Sequence, residues 1–503
     1  MRIFHKTPLA LGVAAGMAML AASTGAQATN SGTDLNLSAK ARSGGMAGAA
    51  YTMPQEASAA VFGNPATLTQ FKGINFNFGA SMITLLDAQN QQQTSITTGA
   101  GTSVSTNKSN SDANNYVIPD LGISMQISPN LVIGTGLEVD SGLGADYRDD
   151  PLSLFGGAFN GVPTGLPSPN DTLEQIKVPL LVEVISFSAN LAAAYQVTEQ
   201  LSVGASATIG FGLAQLGTAG PTDGLDQLSL LLGNPADGTL SDFGGTTSSV
   251  HDIGFGATLG ATYLVQEGIM LSATVKSPLS YNYKNIIFAE SAGTNVHGHD
   301  GYQDLTLQNP TEVIFGVAFD NVIMPGLLVE ADAIWKNWSD AQTFEDAFED
   351  QWLLTIGAQY KTGDWTYRAG YSYAQDILAD KPNNTLGGLD GLGSIPLGAN
   401  ASPTLEAVEV DVIELVQMSL IPVIWKHSVT AGIGYQITDA VSVDGYVSYA
   451  FAETETRNPA TLDAIGSQLG TALLATPVSV STEYKANLDS EVMAGIGINI
   501  ALP

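Results

Sequence analysis

The chain has 503 residues, 13% of them charged, with 55 glycines, no cysteine and a formal net charge of −31. So acidic a protein is a poor partner for nucleic acid, which needs cations facing its phosphates. Without cysteine there is no thiol nucleophile and no thiolate metal ligand, and a charged share about half of the roughly 25% in soluble domains leaves a membrane protein or a repetitive β-protein open.

Residues 1–28 read as a secretory signal peptide. Arg2 and Lys6 precede an uncharged apolar stretch over 9–22, and Ala26-Gln27-Ala28 gives a small-x-small cleavage pattern. The apolar stretch is too short for a membrane helix, which needs about 20 residues. Loss of Arg2 and Lys6 would leave a mature chain of formal charge −33. No later segment is apolar for long enough; the richest, 178–194, is broken by Glu183, Ser186, Ser188 and Asn190.

Residues 29–72 do not read as a membrane strand. They contain Gly44, Gly45 and Gly48, then Ala57-Ser58-Ala59-Ala60, then Gly63-Asn64-Pro65-Ala66. So little charge is unusual for a disordered tail, and the segment is expected to be a plug, or hatch, inside a lumen.

From Ile74 onward the dominant signal is alternation with period two, the mark of a strand with unlike faces. Leu201, Val203, Ala205, Ala207, Ile209, Phe211 and Leu213 alternate with Ser202, Gly204, Ser206, Thr208, Gly210 and Gly212. Fourteen such segments are predicted near 74–86, 116–128, 131–146, 176–196, 201–216, 250–265, 269–283, 311–320, 327–338, 351–360, 365–374, 427–436, 441–451 and 486–501. Six short connections alternate with seven long ones. The expected fold is all-β: a 14-stranded antiparallel transmembrane barrel over 73–503, with short periplasmic turns and long outer loops. Closure removes the open edges of so large a sheet.

Parity turns Ile83, Leu264, Ile314, Ile334, Leu353 and Met493 into the lumen, where a polar pore would carry polar groups. It also turns inward Lys276, Lys284, Lys336 and Arg368, with Glu330, Asp332, Asp444 and Glu491 as their prospective partners. Arg148 and Lys177 flank a long loop near the third strand. These six cations are the candidate contacts for an anionic ligand, and structural ion pairs are the competing reading.

The loops offer less. Leucines cluster over 225–232 and 462–474 in helix-like segments that either pack on themselves or form an outer hydrophobic catchment. Acidic loops are either solvated or bind divalent cations beside lipopolysaccharide. His297-Gly298-His299 lacks a spaced third metal ligand. His251 and His427 are the residues a barrel hydrolase would use, yet no phosphate loop, zinc motif or nucleophile elbow is present. No enzyme activity, cofactor or metal is expected.

Several motifs, in order, resemble one family. Leu35-Asn36, Ser43-Gly44-Gly45-Met46-Ala47-Gly48-Ala49-Ala50 and Gly63-Asn64-Pro65-Ala66-Thr67-Leu68 are similar to the N-terminal hatch of the outer-membrane long-chain fatty acid and aromatic hydrocarbon transporters of the FadL/TodX type. Val275-Lys276-Ser277-Pro278-Leu279, Asn309-Pro310-Thr311-Glu312-Val313, Trp335 with Asn337-Trp338-Ser339, and Trp365-Thr366-Tyr367-Arg368-Ala369-Gly370-Tyr371 resemble its seventh, eighth, ninth and eleventh strands. The resemblance spans roughly 35–500. The end departs from the usual pattern, since Ile498-Asn499-Ile500-Ala501-Leu502-Pro503 lacks a terminal aromatic.

The resemblance implies capture of a hydrophobic ligand at the outer loops, binding in the lumen and lateral exit at a kinked third strand. The hatch residues Asn64, Pro65 and Ala66 would meet that kink, with Gly134, Gly136, Gly142 and Gly144 as the glycines that permit it. Passive uptake of long-chain fatty acids is the leading expectation. Aromatic or other neutral hydrocarbons are the alternative, which the acidic balance favours, and a polar-solute porin is a third. A barrel of this size needs no partner to close, so a monomer is expected.

Overall fold

The computed structural model describes residues 35–86, 88–163, 172–175, 177–218, 248–289, 301–346, 348–378, 414, 418, 426–488 and 490–503. Residues 225–232 and His297-Gly298-His299 lie outside them. Fourteen antiparallel strands close on themselves: β1 (Ile74–Leu85), β2 (Asn115–Ser128), β3 (Leu131–Asp146), β4 (Leu180–Gln196), β5 (Leu201–Thr218), β6 (Val250–Gln266), β7 (Ile269–Lys276), β8 (Thr311–Asp320), β9 (Leu327–Asn337), β10 (Gln351–Thr362), β11 (Trp365–Ala374), β12 (His427–Thr438), β13 (Val441–Ala450) and β14 (Glu491–Leu502). Sequential strands pair, and β1 closes on β14, with Ile74 opposite Leu502 and Leu85 opposite Glu491.

These are the predicted segments with three ends moved, and the fourth begins at Leu180, not 176, because Lys177–Val178 pairs outside the barrel with Leu152–Ser153. The seventh stops at Lys276, not 283, because Ser277-Pro278 follows and proline has no N–H for a ladder. Leu279–Ala289 then leaves the barrel and pairs with Gly301–Asn309. The last strand begins at Glu491, not 486, because Ser479–Leu488 belongs to a separate four-stranded sheet with Glu453–Arg457, Ala88–Thr98 and Gly101–Asn110. That sheet stands at the end of the barrel carrying the long connections. The helix Ala460–Leu474 packs on it, burying Leu462 and Leu469 beside Phe155, Phe159 and Val480.

The pleat sorts side chains as the alternation requires. On β6, Leu259 is 63% exposed while its neighbour Thr258 is 4% exposed. In water the outer face would need a covering layer; in a bilayer it is the lipid face. Aromatic side chains mark both rims. Tyr195, Tyr263, Tyr360, Trp365 and Tyr435 stand exposed beside short turns, and Trp352, Tyr371, Tyr449 and Phe451 beside long connections. Such girdles sit at the two interfaces of membrane barrels. Among the described residues no helix is long and apolar enough to cross a membrane.

Residues 35–72 pack against the inward faces of the strands. Leu37, Tyr51 and Ala59 cluster with Ile314, Ile334 and Leu353. Val61, Phe62 and Leu68 cluster with Val132 of β3 and with Ala192 and Ala194 of β4. Three of the apolar luminal residues therefore pack this segment. Ile83 and Met493 join a larger apolar cluster, and Leu264 is half-buried near a short turn.

Candidate functional site: a break in the barrel wall and a buried charge frame

Strands β2 and β3 pair from Ser128 opposite Leu131 up to Asp120 opposite Glu138, and there the ladder ends. Pro119, next on β2, has no N–H to offer, and the upper part of β2 is paired with β1 alone. On the other side β3 continues to Asp146 against β4, with its register shifted between Val139 and Ser141. Asp140 is the extra residue of this bulge, a device that bends a strand and ends pairing. At the top the Asp112 N–H donates to the Asp146 carbonyl (2.9 Å), and the Asp146 N–H donates to Ser111 Oγ (3.0 Å). The wall is thus interrupted between a closed lower ladder and a tied upper rim.

Two expectations need correction here. None of the four glycines is the irregular residue. Gly134 and Gly136 lie below the break, where a Cβ would come within 2.8 Å of Val61 Cγ2 and 2.6 Å of Phe62 Cε2, so they permit close approach of residues 61–62. Gly142 and Gly144 lie above the bulge, opposite Ile185 and Glu183. The Asn64-Pro65-Ala66 turn, in its turn, faces Gly204 of β5 and Gly260 of β6, not the bent strand. Asn64 caps the two-turn 3-10 helix Pro65–Gln70 by accepting the Ala66 N–H (3.1 Å), and its Nδ2 donates to the Tyr51 carbonyl (3.0 Å). Proline at the first helical position suits that cap.

A frame of buried charge ties the segment to the strands. Lys40 Nζ pairs with Glu138, on the last rung of the β2–β3 ladder. Opposite it, Asp120 accepts from Ser58 Oγ and Asn77 Nδ2, both at 2.8 Å. Asp444 of β13 receives Arg42 Nε and Arg368 Nη1, each at 2.8 Å. Glu312 of β8 receives Lys276 and Lys336, each at 3.2 Å. Glu330 of β9 has no ion pair among the described residues; it accepts the Thr52 and Met53 backbone N–H groups (2.6 and 3.0 Å).

The predicted cations therefore divide. Arg368, Lys276 and Lys336 face inward and are already paired. Lys284 does not face the lumen: the chain leaves the barrel after Lys276, and Lys284 is exposed on the outer hairpin with Asp304 at 2.7 Å. That contact holds the Asp304 carboxyl below its ordinary range. Arg148 is exposed and bonded to Asp146 at 2.6 Å, and Lys177 is exposed beside the short pairing with Ser153. Lys40 and Arg42 were missed in the sequence, although two cations in so apolar a segment are themselves a signal of buried carboxylate partners.

Other chemistry is sparse. His251 is exposed against the Phe211 ring, and His427 Nδ1 lies 2.7 Å from the Tyr371 hydroxyl at the outer rim. Among the described residues no group of three or more histidines or carboxylates is placed to hold a metal ion.

The chain matches a family described as "Outer membrane protein transport protein (OMPP1/FadL/TodX)" over residues 19–170 and 157–386. Among solved structures it is similar to the toluene transporter TodX of P. putida, with 19% identity over 93% of this chain and 99% of that one and a TM-score of 0.55. It is also similar to the toluene transporter TbuX of Ralstonia pickettii, with 18% identity, coverage of 93% and 100% and a TM-score of 0.52. A FadL homologue of Pseudomonas aeruginosa gives 13% identity, coverage of 95% and 99% and a TM-score of 0.57. The comparison with curated proteins finds no match. The barrel, its rims and a family match over most of its length agree: the chain belongs to the outer-membrane transport proteins of the OMPP1/FadL/TodX family.

Proposed function

We propose that this protein passes hydrophobic molecules inward across the outer membrane, and that the break between β2 and β3 is where they leave the lumen sideways into the bilayer. The interrupted ladder carries this reading, because a wall open in the plane of the membrane suits a solute that prefers lipid to water. Residues 35–72 act as the plug that forces the sideways route, and residues 1–28 act as the export signal. One copy closes the barrel, so it works as a monomer in lipid and lipopolysaccharide.

Neutral hydrocarbons fit better than fatty acids. A carboxylate in the lumen needs a cation, and Lys40, Arg42, Arg368, Lys276 and Lys336 each hold a protein carboxylate already. Removing one partner of a buried pair is costly. The similarity to toluene transporters supports the same choice.

Uptake of labelled toluene, oleate and a disaccharide by whole cells with and without the protein tests the proposal. Protein-dependent toluene uptake that exceeds oleate uptake is expected. Disaccharide entry without toluene entry would mean a polar pore.

A further inference from the structure

Beside the bulge, the inward faces of β3 to β7 enclose a recess of about 330 Å3 counting its open mouth. Glu138, Asp140, Asn190, Thr208 and Lys276 line one side, and Phe62 and Leu279 the other. Its enclosed part is only about 40 Å3, room for a hydroxyl group or a few water molecules, and the remainder is open mouth. Two observations mark it as more than a packing gap. Asn190, only 5% exposed, has an amide oxygen with no hydrogen-bond partner. Turning the amide exchanges oxygen and nitrogen, so it can present either to the recess. Asp140 accepts from Asn309 Nδ2 at 2.9 Å and from Ser186 Oγ at 3.5 Å, and has no ion pair among the described residues.

We infer that this recess is a subsite for the hydroxyl group of a small neutral alcohol or phenol, seated between Asn190 and Asp140 with its apolar body against Phe62 and Leu279. The inference deepens the proposed transport function and rests on it. Charge selects the class. Glu138 is paired with Lys40, and Glu312 with Lys276 and Lys336, so no ammonium group is left over for an anion. The Asn190 amide oxygen is what is left over. A buried acceptor without a donor costs about 1–3 kcal/mol, and a ligand hydroxyl removes that cost where a methyl group cannot. A water molecule could serve the polar side but would leave the Phe62 and Leu279 side uncovered. The hydroxyl group thus pauses beside the break in the wall, through which its apolar body leaves first.

The test uses the purified full chain and fluorine NMR titration with 4-fluorophenol and fluorobenzene. Asn190→Leu is expected to weaken fluorophenol binding about fivefold, the worth of one neutral hydrogen bond, and to leave fluorobenzene within about twofold. Should Asn190→Leu fail to assemble, Asn190→Ala, which removes the amide without adding an apolar branch, is expected to show the same split. Fluorophenol binding indifferent to both variants means that the recess holds only water and overturns the inference. So does tighter binding of 4-fluorobenzoate or 4-fluorobenzylamine. Whole-cell toluene uptake separates the two failures: uptake with no dependence of fluorophenol binding on Asn190 sinks the subsite alone, whereas absent uptake sinks the transport reading.

Discussion

Lys40 of the N-terminal segment pairs with Glu138 on the last rung of the β2–β3 ladder, and both side chains are buried, 1% and 3% exposed. The Lys40 ammonium also lies 5.1 Å from the centre of the Phe62 ring. One contact thus joins the N-terminal segment to the lower edge of the break. Neutralising Lys40 leaves a buried carboxylate unpaired, a loss of about 3–5 kcal/mol. Lys40→Met is therefore expected to speed hydrogen exchange over residues 131–138. The double change Lys40→Met with Glu138→Leu is expected to restore most of the protection. Equal exchange in the single and double variants would sink the idea of a latch.

Asp444 is the centre of a second tie, since it alone receives both Arg42 and Arg368. Asp444→Ala takes the carboxylate from the buried Arg368 and from the half-buried Arg42, whereas Arg42→Ala leaves the Arg368 pair in place. The first change is expected to lower the heat-unfolding temperature of the barrel clearly more than the second, with a loss of about 3–5 kcal/mol against about 1–2. A gel assay of heat-modified mobility ranks them, and equal losses would mean that Arg368 does not depend on Asp444.

The barrel was legible in the sequence because a lipid-facing strand must be apolar on every second residue. The outer sheet was not. Gln91, Gln92, Gln93, Thr94 and Ser95 pair on both sides without one apolar face, so periodicity has nothing to report. The reverse error occurred at Leu279, Tyr281 and Tyr283, which alternate like a membrane strand but lie past Pro278 on a hairpin; counting parity across that break is what turned Lys284 inward. The bulge at Asp140 also escaped, because it follows from where pairing stops, and pairing is non-local. Of the site, the inward cations were readable, and their partners on other strands were not.

Asp463, in the first turn of the outer helix, accepts the Thr482 N–H at 2.9 Å and joins that helix to the outer sheet. Burial pushes its carboxyl above the ordinary aspartate value of 3.8. The folded state then holds a proton that the unfolded state has released. Stability from this group is present below 3.8 and falls as pH rises from there through the raised value. Protection of residues 479–488, taken relative to the intrinsic amide exchange rate at each pH, is expected to fall across that window and to lose the dependence in Asp463→Asn. Protection that grows with rising pH, reversed by no change at Asp463, would assign the effect to another group.

Gly204 of β5 and Gly260 of β6 test whether residues 35–72 are a plug. A Cβ on Gly204 would collide with the backbone of Pro65 and Ala66, while one on Gly260 would meet the Asn64 amide. The strands need not move, because both glycines lie on the lumen side of closed ladders. Overpacking of this kind costs about 1–3 kcal/mol, and the mobile partner is the segment, not the barrel wall. Gly204→Val is therefore expected to leave the folded mobility on gels intact while exposing residues 53–72 to added protease. In planar bilayers it should raise ion conductance, since a displaced plug opens an aqueous path that lipid-directed exit does not need. Gly445→Ala of β13 is the control, because a Cβ there meets only the Gly495 carbonyl at ordinary distance. Cleavage and conductance equal in the two variants would mean that the Asn64 turn does not seal the lumen.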